Sequence, residues 1–124
     1  MSGILAKQTY QQNAVKTASP GSLTLMLYKG AVRFINAAIQ DLQQGKYEDA
    51  HKHNVRAQDI VNELMITLNK DIPISKELLK MYDYIHYRLV QANVYKDVAM
   101  LEEAKGYMEE FVEVWEQVMK KAKA

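Results

Sequence analysis

The stretch "TASPGSLTLMLYKGAVRFINAAI", Thr17 to Ile39, decides the fold. Ser19-Pro20 is a helix start: a serine oxygen caps free amides, and proline is preformed for the first helical position. The residues after Pro20 keep helical period to about Gln44, where Gly45 supplies a left-handed stop. Leu27, Ala31, Phe34, Ala38 and Leu42 form one apolar seam, and Leu25, Tyr28, Val32, Ile35 and Ile39 form a second beside it. At about 100° per residue the two together cover roughly 200° of the circumference. Lys29, Arg33, Asn36, Gln40 and Gln43 keep a narrow polar strip, toward which Leu25, Met26 and Val32 lean. A helix with two neighbours buries much of such an arc. The remainder predicts apolar surface reserved for something outside the bundle.

Three more helices complete the chain. The second spans about Lys46 to Leu68, with a stripe of Ala50, Asn54, Ala57, Val61, Leu64 and Leu68, and ends at Asn69, Asp71 and Pro73. Ser75 is expected to cap the third, which runs to about Lys96 with Leu78, Tyr82, Ile85, Leu89 and Ala92 inward. Asp97 is expected to cap the fourth, from Val98 to about Lys121. Leu101, Ala104, Met108, Phe111, Trp115, Val118 and Ala122 form its seam, with Trp115 as a core anchor. Similar long helices joined by short connections imply antiparallel neighbours. The expected fold is therefore all-α, an antiparallel up-down four-helix bundle over residues 19–124. Residues 1–18 are expected to be a flexible N-terminal arm or to hold a short extra helix.

Composition narrows the function. The chain has 124 residues, enough for one domain, and a net charge of +1. So balanced a charge gives no general grip on nucleic acid or anionic membrane. No cysteine is present, which excludes disulfides and thiolate chemistry. No apolar run approaches the roughly 18 residues of a membrane span, and no secretory signal is read, so a cytoplasmic protein is expected. Glu48-x-x-His51 and Asp83-x-x-His86 have the spacing of di-iron bundles, but the first helix offers only Asp41 and no glutamate. His51 and His53 face different sides of one helix. Gly30 and Gly106 are isolated within helices, and no phosphate loop or nucleophile elbow exists. Neither an enzyme, a metal nor a cofactor is expected. Tyr84, Arg88, Gln91 and Tyr95 share another face of the third helix, a composition common in recognition surfaces.

The segments "YQQNAVKTASPGSLTLMLYKGAVRFI" (Tyr10 to Ile35), "RAQDIVNELMITLN" (Arg56 to Asn69) and "MYDYIHYRLVQANVYKD" (Met81 to Asp97), with the "EVWEQ" ending (Glu113 to Gln117), resemble the flagellin export chaperone family, FliS. The resemblance covers almost the whole chain. It implies a helical bundle that binds the disordered C-terminal segment of new flagellin. It also implies prevention of premature polymerisation and delivery to the flagellar type III export gate, without nucleotide or metal. The arm bearing Tyr10 is then expected to lie over the apolar cleft when the client is absent. Leu25, Tyr28, Val32 and Ile35, with the Tyr84, Arg88 and Tyr95 face, are expected to contact flagellin, and Asn13 and Asn93 to pair with its backbone. The competing expectation is a homodimer or assembly protein whose stripes meet a second copy and which has no unfolded client.

Overall fold

The structure, a computed structural model, describes residues 20–123. The expected Ser19 cap, the arm, Tyr10 and Asn13 lie outside the described residues. Four helices are present among these: α1 Pro20–Gln43, α2 Tyr47–Thr67, α3 Ser75–Tyr95 and α4 Val98–Lys123. Each packs against its sequence neighbour, and α4 closes the square against α1. The α1 seams are the most extensive and the α3–α4 seam is the sparsest.

Contacts between opposite ends of successive helices fix the antiparallel course. His51, early in α2, meets Asn93, late in α3. The Trp115 indole N–H, late in α4, donates 2.8 Å to the Gly21 carbonyl at the start of α1. The turns use local chemistry. Gly45 takes φ +73, a left-handed conformation that glycine adopts without side-chain strain. Asp97 accepts from the Met100 N–H through Oδ1 at 3.1 Å, so it caps α4 as expected. Lys96 ends α3 at φ 52, and the next amide, of Asp97, donates 3.1 Å back to the Ala92 carbonyl. Ser75 departs from expectation. Its hydroxyl donates to the Lys70 carbonyl, and Ile74 occupies the cap position without a side-chain cap bond. The serine thus ties the loop to the helix start instead of satisfying helix amides.

The core follows the inward stripes. Ala50, Ala57, Val61 and Leu64 of α2, Tyr82, Ile85, Leu89 and Ala92 of α3, and Leu101, Ala104 and Met108 of α4 are buried. Asn54 is buried on the α2 stripe. Its amide donates 3.0 Å to the Leu89 carbonyl, and its oxygen accepts from Gln58 Nε2 at 2.7 Å. A buried asparagine with both ends satisfied fixes the α2–α3 register. On α1 the buried residues are Tyr28, Ala31, Ile35, Ala38 and Ile39, drawn from both seams, while Leu27, Val32, Phe34 and Leu42 are partly buried against them. Because α1 lies between α2 and α4, the bundle's own interior uses nearly all of the wide arc. A Cβ at Gly30 would come within 3.2 Å of Ile60 Cδ1, so the Ile60 side chain would have to give by a few tenths of an ångström to admit it.

The α4 seam holds through Trp115 and then fails. Val118 is 45% exposed, and Ala122 is exposed. Pairing of Arg88 with Glu103 and of Tyr84 with Tyr107 puts the first residue of α3 about opposite Glu116. The last turns of α4 run past α3 and meet no partner on that side among the described residues.

Candidate interaction surface

The residues expected to face outward separate into three groups. Tyr28 and Ile35 are 1% and 0% exposed, so they cannot present a surface to a client. The Tyr28 ring stacks on Phe111 at 5.2 Å, meets Trp115 edge-on at 6.2 Å, and shares a hydroxyl–hydroxyl hydrogen bond with Tyr82. Burial first, then that hydrogen bond, pushes the Tyr28 phenol far above its ordinary range. Burial also raises Tyr82, against the opposing effect of the Tyr28 hydroxyl. These residues are core, and the expectation that they touch a partner is corrected. Leu25 and Val32 are half-buried, with Val32 packed on the core.

The second group is held by neighbours on the same surface. Glu103 of α4 accepts from the Tyr84 hydroxyl at 2.6 Å and from Arg88 Nε at 3.0 Å. The hydrogen bond from Tyr84, then that from Arg88, holds the Glu103 carboxyl below the usual carboxylate range. The same Glu103 raises both Tyr84 and Arg88. Arg88 also donates 2.9 Å to Gln91 Oε1, and Gln91 donates 2.8 Å to the Tyr87 hydroxyl. This network fixes the side chains that line the α3–α4 seam. Asn93 donates 2.8 Å to His51 Nδ1 and so bridges α3 to α2.

The third group is exposed apolar surface, and most of it lies outside the expected positions. Tyr95 is 68% exposed, as expected. Val94, at 66%, continues a line with Leu79, Tyr87 and Val90 on the outer side of α3. Val114, at 57%, and Val118 stand on α4 beside the α3–α4 seam. Ile66, Ile72 and Ile74, around the α2–α3 connection, are also exposed. The spacing of Tyr87, Val90 and Val94 could have revealed their line in the sequence. The exposure of Val114 and Val118 depends on where α3 begins opposite α4. Met26, Ile66, Ile72, Ile74, Leu79, Val114 and Val118 belong to the end of the bundle from which residue 20 leads back toward the N-terminus. Taken together this is shallow apolar area with polar tips. Such a surface suits an amphipathic helix or extended segment better than a small molecule. No group of residues able to hold a metal ion exists among the described residues, and none of their helices is long and apolar enough to cross a membrane.

Comparison with known proteins gives the same fold and adds a family. A solved structure described as a flagellar chaperone from bacteria superposes with a TM-score of 0.79, covering 96% of this chain and 98% of its own at 21% identity. The flagellar secretion chaperone FliS of Bacillus subtilis (strain 168) is 46% identical over 110 residues, which is 89% of this chain and 83% of that protein. The protein of the same description from Salmonella typhimurium is 34% identical, covering 98% of this chain and 93% of its own. Residues 3–122 match the family described as flagellar protein FliS. The chain belongs to the FliS family of flagellar secretion chaperones.

Proposed function

We propose that the protein is a cytoplasmic chaperone that binds the disordered C-terminal segment of flagellin, keeps it from polymerising prematurely and delivers it to the flagellar type III export gate. The observation that carries this reading is the apolar surface along α3 and the end of α4: Leu79, Tyr87, Val90, Val94, Tyr95, Val114 and Val118 are all exposed. A monomer this small has no structural use for so much uncovered area. A disordered client loses ordering entropy on binding, so many shallow contacts along an extended path serve it better than one deep pocket. The bundle beneath is held by its own core and need not change shape to receive such a client. The arm reading has support too. The exposed residues at the α1 start, the α2–α3 connection and the α4 end lie where a 19-residue segment bearing Tyr10 and Asn13 joins.

Calorimetry against flagellin with and without its C-terminal segment tests the reading. Binding is expected only when that segment is present. Val114→Glu with Val118→Glu, and separately Tyr84→Ala with Tyr95→Ala, should each weaken it at least about tenfold, or about 1.4 kcal/mol. Because Val114, Val118 and Tyr95 are exposed, the first pair should change stability by no more than about 1 kcal/mol. Equal affinity for truncated flagellin would remove the client. A stable dimer in light scattering, lost in the valine variant, would instead favour the homodimer reading.

A further inference from the structure

A different side of the molecule carries a feature that the flagellin reading does not use. Arg33 of α1 and Arg56 of α2 converge on one ring, with their Cζ atoms 5.6 Å and 5.3 Å from the centre of Phe34. The His53 ring lies 6.2 Å from the same ring. Both arginines are exposed and Phe34 is half-buried, so the cluster sits on the outer side of the α1–α2 seam. Of the three arginines in the chain, Arg88 is paired with Glu103. Neither Arg33 nor Arg56 has a carboxylate partner among the described residues. Beside them a hollow of about 490 Å³ is lined by Phe34, His51, Lys52, His53, Val55 and Arg56. Every polar side chain on that wall is basic or a histidine; His53 bonds the Asp41 carboxylate and Lys52 pairs with Glu48, so Arg56 is the lining cation without an ion pair among the described residues. One guanidinium over an aromatic ring is a satisfied cation–π contact. Two sharing a ring, with no anion between them, repel one another and leave their planar donor forks free for carboxylate oxygens.

We propose that this surface docks an acidic segment of a partner protein, whose carboxylates engage Arg33 and Arg56 while an apolar residue rests on Phe34 and Val55. The protein's own N-terminal sequence is the wrong chemistry: residues 1–19 contain Lys7 and Lys16 and no aspartate or glutamate. A second copy could bring the exposed Glu109, Glu110 and Glu113 of α4 to the α1–α2 side. That pairing joins two different surfaces, so it leaves one of each free and grows into an open chain. The α1–α2 side is opposite the α3–α4 side in the square of helices. The acidic partner and an occupant of the α3–α4 surface therefore bind together, and the proposal stands whether or not that occupant is flagellin.

The test uses the full chain and a fluorescent synthetic peptide in which glutamates flank a central phenylalanine, with a glutamine-for-glutamate control. At low salt the acidic peptide should bind and the control should not, and binding should weaken as salt is raised. Arg33→Gln with Arg56→Gln should lower affinity at least about tenfold. Circular dichroism should show the variant folded, since neither arginine holds an ion pair, and Arg56→Gln alone serves if the double variant is unstable. Nuclear magnetic resonance should show the peptide moving the Arg33 and Arg56 Nε–H signals. Equal binding by the variant or by the control peptide overturns the proposal. So does saturable binding of inorganic phosphate to these arginines without any response to the peptide. Concentration-dependent assembly abolished by the double substitution overturns it in favour of a second copy.

Discussion

Replacing Tyr28 with alanine should cost about 4 kcal/mol, because the ring is fully buried and its removal opens a cavity lined by Phe111, Trp115 and Tyr82. Small domains have about 5–15 kcal/mol of stability in total, so the variant should be marginal, with its melting point lowered by about 15 °C. Tyr28→Phe separates packing from hydrogen bonding. It keeps the ring and deprives the Tyr82 hydroxyl of its partner, at an expected cost of about 1–3 kcal/mol. Urea denaturation gives both values. The result also distinguishes a core residue from a client contact. A core Tyr28 loses stability and leaves the affinity of the folded fraction for flagellin unchanged. A variant as stable as the parent with weakened flagellin binding would return Tyr28 to the surface.

That distinction marks what the sequence conveys and what it does not. The helices and their limits are legible because their punctuation is local: Gly45 and Asp97 act through their own backbone and nearest amides. The inward stripes of α2 and α3 are legible because period identifies a face. On α1 the two adjacent seams are legible as an arc, but period reports direction and not depth. A helix wedged between α2 and α4 buries its arc from both sides, so Tyr28 and Ile35 become core while Val32 remains at the edge. Val118 and Ala122 continue the α4 pattern faithfully and lie exposed because α3 starts too late to cover them. That fact belongs to the register between two helices and to neither sequence alone. The Tyr84–Arg88–Glu103 cluster escapes for the same reason: its carboxylate comes from α4, 15 residues beyond Arg88. Lys96 takes a left-handed conformation without glycine or asparagine, so no residue type announces that turn.

Raising the pH above about 10 should unfold the protein through the same buried pair. In the native state burial and the shared hydrogen bond keep the Tyr28 phenol protonated, and burial does the same for Tyr82. In the unfolded chain both ionise near pH 10. Above that pH the native state therefore binds more protons than the unfolded state, and stability falls as pH rises. Each phenol contributes a slope of about 1.4 kcal/mol per pH unit until its own folded-state value is reached. The full stabilisation is present below pH 10 and is lost progressively as pH rises above it. Urea midpoints measured across this range give the slope, and Tyr28→Phe should reduce it by removing the more strongly shifted phenol. Lysine deprotonation is common to both proteins and cancels in that comparison. Phenolate absorbance supplies an independent check on the eight tyrosines of the chain. The Tyr28 and Tyr82 phenols should ionise only as the helices melt. Ionisation of every tyrosine in one step before any loss of helicity would mean that water reaches the Tyr28–Tyr82 pair in the folded bundle.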